Sequence, residues 1–76
     1  MTLGKIITHK RESLNYKKIE FSKILGIGSD TLLAWEKDKF KPAGKNLYKL
    51  IKILKFTKEE ATKYCNYQYL PDSLFE

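Results

Sequence analysis

The side chains that could do chemistry in this chain are chiefly lysines, whereas nucleophiles and metal ligands are few. The sequence has fifteen Lys or Arg but only one histidine, His9, and one cysteine, Cys65. One cysteine cannot form an internal disulfide, and one Cys with one His cannot complete a zinc site. The sequence also lacks a nucleophile spaced with a base, clustered carboxylates and a glycine-rich phosphate loop. We therefore expect no enzyme, no cofactor and no metal site, and the chemistry that remains is electrostatic.

The positive charge is unevenly distributed along the chain. Residues 1–58 carry fourteen Lys or Arg and five Asp or Glu, whereas residues 59–76 carry one lysine and four acidic residues. The formal net charge is +6 at pH 7. A basic body with an acidic end fits a surface that meets phosphate groups and a terminal segment that is kept away from them.

Length and hydropathy limit the architecture. A chain of 76 residues predicts one small domain with a modest core and no separate ligand-sensing domain. No apolar run approaches the roughly 20 residues that a membrane-spanning helix needs, and the first ten residues lack the core of a signal peptide. We expect a cytoplasmic protein that does not contact a membrane.

Residues 25–42 predict the element that must position any binding residues, a helix-turn-helix motif. Gly26 supplies the positive φ of a tight turn, and Gly28 or Ser29 can cap a second helix over residues 28–37. Leu32 and Trp35 share the face of that helix that packs inward. The opposite face consists of Ser29, Asp30, Leu33, Ala34 and Lys37.

The rest of the chain predicts four further helices. Their expected ranges are 3–13 or 3–14, 17–25, 43–55 or 44–55, and 58–67, followed by an irregular tail. Thr57 and Glu60 have the spacing of a capping box at the start of the last helix. In the loop after the second helix of the motif, Asp38 tolerates a left-handed conformation better than most residues.

Leu3, Ile7 and Leu14 form one apolar stripe on the first helix, and Arg11 lies on the same stripe. Because an unpaired buried charge is costly, Arg11 needs a partner, and Glu36 is the candidate for a structural salt bridge.

The motif resembles the helix-turn-helix domain of the Cro and phage-repressor family, also called the xenobiotic-response-element (XRE) type. The resemblance lies in the turn 25–27, in Thr31 and Leu32, in Trp35-Glu36 and in the loop 39–42, and it extends from Leu3 to Leu54. It implies an all-α, lambda-repressor-like compact bundle of about five short helices, with the motif formed by helices two and three. Residues 1–56 would be the DNA-binding core, and residues 57–76 a C-terminal helix and tail.

The resemblance also implies a function: a sequence-specific DNA-binding transcriptional regulator, most similar to a small phage or mobile-element repressor. The helix over residues 28–37 would enter the major groove of double-stranded DNA and read bases through Ser29, Asp30, Leu33, Ala34 and Lys37. The residues expected on DNA phosphates are Arg11, Lys17, Lys18, Lys39, Lys41, Lys45 and Asn46.

The proposed reading face supports an alternative, because it lacks Arg, Gln and Asn, the side chains best suited to bidentate base contacts. A protein-binding module, such as an anti-repressor or adaptor with a regulatory protein partner, would keep the fold without reading bases. An antitoxin of a toxin-antitoxin pair is a third interpretation. The flanking lysines favour DNA, since they would have little purpose without phosphates.

The C-terminal segment is dense in aromatic and apolar residues. Some of these residues must cover the core, and tyrosine is favoured in protein interfaces. The residues that would form a homodimer contact are Tyr64, Tyr67, Leu70 and Phe75.

Overall fold

The computed structural model describes residues 2–65 and 71–75, and the chain is all-α as expected. The described residues form five α-helices: α1 (Leu3–Ser13), α2 (Lys18–Leu25), α3 (Ser29–Glu36), α4 (Gly44–Ile53) and α5 (Lys58–Cys65). A short 3₁₀ helix, Asp72–Phe75, follows where the sequence predicted an irregular tail. The chain forms two compact units, residues 1–42 with α1 to α3 and residues 43–76 with the remaining helices. These units do not test the predicted division at residue 56, which stays a prediction.

The first four helices end in the same way. Each is followed by a residue with positive φ, namely Asn15 (62°), Gly26 (73°), Asp38 (61°) and Lys55 (56°). The next N–H then donates back to the carbonyl five residues earlier, in the pairs Tyr16 to Arg11, Ile27 to Ser22, Lys39 to Ala34 and Phe56 to Ile51. These bonds satisfy carbonyls of the last helical turn. The sequence predicted the left-handed conformation at Gly26 and Asp38, but lysine gives no such signal.

Two helix starts use a glutamate at the third helical position. At α5 the predicted capping box is confirmed, because the Thr57 N–H donates to Glu60 at 2.9 Å and the Glu60 N–H donates to the Thr57 hydroxyl at 3.1 Å. At α2 the Lys17 N–H donates to the Glu20 carboxylate at 2.9 Å. A lysine side chain has no acceptor, so this cap is only half of a capping box.

The core of the first unit contains buried apolar side chains from all three of its helices: Leu3, Ile6, Ile7, Phe21, Leu25, Leu32 and Trp35. The expected stripe on α1 was wrong at one position, because Leu14 is 38% exposed whereas Ile6 is buried. Leu14 follows the last residue of α1, so helical periodicity no longer directs it inward. The buried Ser22 donates its hydroxyl to the Ile19 carbonyl at 2.8 Å, which satisfies the polar group inside the core.

The start of α1 passes very close to the end of α3 at Gly4. A Cβ atom placed on Gly4 would lie 2.5 Å from the carbonyl oxygen of Glu36 and 2.6 Å from that of Trp35. Both distances are far below van der Waals contact, and the atoms approached are backbone. Glycine at this position therefore permits the packing of α1 against α3.

In the second unit, α4 buries Leu47, Leu50 and Ile51, and α5 buries Ala61 and Cys65. The 3₁₀ helix contacts α4. Burial raises the pKa of the Cys65 thiol to about 11, so the thiol is protonated at neutral pH and a poor nucleophile. The predicted continuation of α5 to residue 67 lies outside the described residues.

Candidate nucleic-acid interface

The two sides of α3 differ as the sequence predicted. Leu32 and Trp35 are buried, whereas the opposite face is open to a partner to differing degrees. On that face Ser29, Asp30 and Lys37 are exposed, and Leu33 and Ala34 are half-buried. On this face the accessible polar groups therefore lie at the start of α3 and just after its end, with the apolar side chains of Leu33 and Ala34 between them. An α-helix with its side chains is about 10–12 Å across, which fits the roughly 12 Å width of the DNA major groove.

An interior ion pair holds the end of α3. Arg11 Nε donates to Glu36 Oε2 at 2.9 Å, and the two side chains are 6% and 5% exposed. Arg11 Nη2 donates to Glu36 Oε1 at 3.3 Å, and Nη1 donates to the Tyr16 carbonyl at 2.7 Å. The Thr8 hydroxyl lies 3.0 Å from Glu36 Oε1. This cluster joins α1, the turn after it and the last turn of α3, so it fixes the orientation of the exposed face.

The same geometry limits the phosphate contact that was also expected of Arg11. Its guanidinium points inward, and both Glu36 and the Tyr16 carbonyl accept hydrogen bonds from it. A phosphate contact by Arg11 stays a prediction, whereas its structural bonds are part of the fold.

Asp38 connects the loop after α3 to the start of α1, a link that the sequence did not reveal. Its carboxylate accepts hydrogen bonds from the Thr2 hydroxyl and from the Gly4 N–H, the latter at 2.9 Å. Thr2 is the N-cap of α1 and also accepts from the Lys5 N–H at 3.3 Å. A threonine before a helix and an aspartate in a turn were the available signals, but nothing in the sequence pairs residues so far apart.

The lysines expected to contact phosphates are exposed and fall into three groups. Lys17 and Lys18 lie at the start of α2, and Lys39 and Lys41 lie in the loop after α3. These four belong to the first unit. The third group lies in the second unit at the start of α4, where Lys45 is exposed and Asn46 is half-buried.

Between Lys39 and Lys41 lies Phe40, which is 69% exposed and was not among the residues expected to bind DNA. It borders an open groove of about 300 Å³ on the surface of α3, together with Asp30, Thr31, Ala34 and Trp35. The sequence did contain a signal, because a phenylalanine stands between two lysines. A loop that only binds phosphates needs no aromatic side chain.

Comparison with known proteins identifies the family. A sequence model of the helix-turn-helix family matches residues 7–60. The chain belongs to the XRE-type helix-turn-helix family. It is also similar to the HTH-type transcriptional regulator DicA of Escherichia coli (strain K12), with 33% identity over 54 residues. The match covers 71% of this chain and 40% of DicA. No solved structure gives a significant match.

Within this XRE-type domain, the expected dimer residues are only partly described. Tyr64 and Phe75 are half-buried, and the Lys63 ammonium lies 5.3 Å from the centre of the Tyr64 ring. Tyr67 and Leu70 lie outside the described residues, so the homodimer contact stays a prediction. Among residues 2–65 and 71–75, no helix is long and apolar enough to cross a membrane, and no cluster of side chains could hold a metal ion.

The Asp38 link in this XRE-type domain should make stability depend on pH in acid. The hydrogen bond from Thr2 and the one from the Gly4 N–H lower the pKa of Asp38, aided by Lys5 and Lys41 and opposed by partial desolvation. A lowered folded-state pKa gives stability that is present above the unfolded value of 3.8 and is lost as pH falls below it. We expect Asp38→Asn, which tolerates the same positive φ, to lower the unfolding free energy at pH 7 and to differ less from the parent at pH 2.5.

Urea unfolding at both pH values checks this expectation. The control is Glu12→Gln, which also removes one negative charge. Glu12 is exposed near the end of α1, away from Thr2 and Gly4. A destabilisation by Asp38→Asn that is equal at both pH values would show that the charge of Asp38 does not contribute.

Proposed function

We propose that this chain is a DNA-binding transcriptional regulator that recognises a specific duplex sequence with α3. The observation that carries the proposal is the exposed face of α3, held in place by the Arg11–Glu36 pair and followed at once by exposed lysines at 37, 39 and 41. Membership of the XRE-type family and the similarity to a transcriptional regulator support the same conclusion. In this proposal α3 enters the major groove, Lys37 reads a base, and Lys39 and Lys41 contact phosphates.

Each side chain on the reading face has a base partner that suits its chemistry. Asp30 accepts from the amino group of cytosine, and Lys37 donates to guanine. Leu33 and Ala34 contact thymine methyl groups, and Ser29 hydrogen-bonds to either base of a pair. The phosphate contacts come from Lys17 and Lys18 at the start of α2, from Lys39 and Lys41, and from Lys45 and Asn46 of the second unit.

The finer function that we propose is a small repressor of the phage or mobile-element type, which acts in the cytoplasm. Such a repressor acts as a homodimer on a two-fold symmetric operator, because half-sites one helical turn apart match two copies of the reading helix. An antitoxin that represses its own operon would use the same DNA-binding face together with a toxin partner.

A second candidate function is a protein-binding module that keeps the fold. It is favoured by the composition of the reading face, since Ser29, Asp30, Leu33 and Ala34 lack the bidentate donors that most often distinguish bases. This candidate predicts no affinity for duplex DNA even at low salt. DNA binding therefore separates the two functions directly.

Mobility-shift titrations of Lys39→Ala and Lys41→Ala test the proposed phosphate contacts. We expect each variant to bind every duplex more weakly by a similar factor, because phosphate contacts carry no sequence information. Each should also reduce the slope of log affinity against log salt by about 0.9, the value for one phosphate contact. Lys23→Ala is the matched control, since Lys23 is exposed at the opposite end of α2 from Lys17 and Lys18.

The reading residues should respond differently from the lysines. Selection from a randomised duplex library with the parent, Asp30→Ala and Ala34→Ser should yield different preferred sites, since a lost base contact changes discrimination by about 1–3 kcal/mol. Identical sites from all three proteins would mean that α3 is not the reader. Absence of binding by the parent at low salt would favour the protein-binding module.

A further inference from the structure

Phe40 has a feature that phosphate binding does not explain. Among the described residues it is the most exposed large hydrophobic side chain, at 69%. A single exposed apolar residue is ordinary on a protein surface. Phe40, however, forms one wall of the groove whose other lining residues are Asp30, Thr31, Ala34 and Trp35 of α3. An apolar groove therefore lies directly on the proposed reading helix.

The backbone fixes the position of Phe40 relative to that helix. Its N–H donates to the Ala34 carbonyl at 3.4 Å, and the N–H of Lys39 donates to the same oxygen at 2.9 Å. Asp38, which precedes them, is bound to the start of α1. The backbone at Phe40 is thus held in place before any partner arrives, which reduces the entropy lost on binding.

The surroundings of the groove indicate what it accepts. Lys39 and Lys41 on either side of Phe40 are exposed cations that favour the DNA backbone. The carboxylate of Asp30 at the groove itself disfavours a phosphate there. The side chains of Thr31, Ala34 and Phe40 present methyl groups and a ring, which are the partners that a thymine methyl group finds in the major groove.

We infer that Phe40, together with Thr31 and Ala34, receives the 5-methyl group of one thymine and thereby determines specificity at that base pair. The inference rests on the proposed function and adds a reading residue outside α3. It also gives the loop 39–41 two roles, since Lys39 and Lys41 contact phosphates and Phe40 between them contacts a base.

The test is a double-mutant cycle between DNA and protein. One change removes the methyl group from the DNA, and the other removes the ring from the protein. In the operator selected by the parent, each thymine is replaced in turn by deoxyuridine, which lacks only the methyl group. We expect affinity to fall about fourfold at each thymine whose methyl group is contacted, the value of burying one methyl group, and one such position in each half-site to be coupled to Phe40. Because both copies of a homodimer carry the change, Phe40→Ala on the thymine operator should match the loss caused by deoxyuridine at that position in both half-sites together, with no further loss when the variant meets the doubly substituted operator.

Two further variants sharpen the cycle. Ile19→Ala removes a hydrophobic side chain of α2 that is 63% exposed and should leave the response to deoxyuridine unchanged. Phe40→Leu keeps an apolar wall and should retain the response in part, which also covers the case of an unfolded Phe40→Ala variant. Thermal unfolding followed by circular dichroism verifies that each variant is folded.

Sequence-specific binding without any methyl effect, or with independent effects of Phe40→Ala and deoxyuridine, would overturn the inference and leave the proposed function standing. Absence of specific DNA binding by the parent would overturn both. A coupled loss at one position per half-site supports the assignment of Phe40.

Discussion

Replacing Gly4 by alanine is expected to lower the free energy of unfolding by about 3 kcal/mol, the upper end of the usual range for overpacking. The added methyl group would meet the carbonyl oxygens of Glu36 and Trp35 at 2.5 and 2.6 Å. These are backbone atoms that cannot rotate aside, so α1 and the end of α3 must move apart. That movement also weakens the hydrogen bond between the Gly4 N–H and Asp38. For a domain of this size, each kcal/mol corresponds to a fall in the melting temperature of about 4–8 °C.

The matched control is Gly28→Ala, which adds the same methyl group where no atom lies within 4 Å. Gly28 has φ −74° and ψ 152°, a conformation that alanine adopts readily. We expect this change to cost less than about 1 kcal/mol, the value of a weaker N-cap. Thermal unfolding measures both variants. A stabilisation by Gly4→Ala, as helix propensity alone predicts, would contradict the close approach of α1 and α3.

Features that depend on residues close in sequence were predictable. Gly26 and Asp38 tolerate positive φ, Thr57 precedes Glu60 at the spacing of a capping box, and each feature forms as expected. The periodicity of Leu32 and Trp35 likewise identified the buried side of α3. In all these cases the physical cause acts within one or two helical turns, so the sequence contains it.

Contacts between distant parts of the chain were predictable only where a residue could not be buried without a partner of opposite charge. A glycine within a helix is costly, yet Gly4 gave no indication of which backbone it approaches. Asp38 had an explanation as a turn residue, so its bonds to the start of α1 were not sought. Phe40 was not among the residues expected to bind DNA, because the lysines around it account for the charge of the loop. Leu14 was misassigned because the helical period was continued past Ser13.

Arg11 was different. Its position on an apolar stripe predicts a buried cation, and a buried cation needs a partner because an unpaired buried charge is costly. That argument identified Glu36 across the chain, and the structure contains the pair with both side chains at most 6% exposed. Removing one partner of a buried pair leaves the other charge without compensation, which typically costs about 3–5 kcal/mol. We therefore expect Arg11→Ala and Glu36→Ala each to destabilise the domain by about 3 kcal/mol or more. Arg11→Ala also removes the donor to the Tyr16 carbonyl.

The double variant distinguishes an interacting pair from two separate charges. Removing both partners leaves no stranded charge, so the double change should cost less than the sum of the single changes, with a coupling energy of about 0.5–3 kcal/mol. Urea unfolding of the four proteins measures this coupling. Glu12→Ala removes an exposed carboxylate from α1 and should change stability by no more than about 0.5 kcal/mol. Additive single changes would mean that Arg11 and Glu36 do not stabilise one another. The orientation of α3 would then rest on apolar packing, and a variant lacking both charges would present the reading face as well as the parent does.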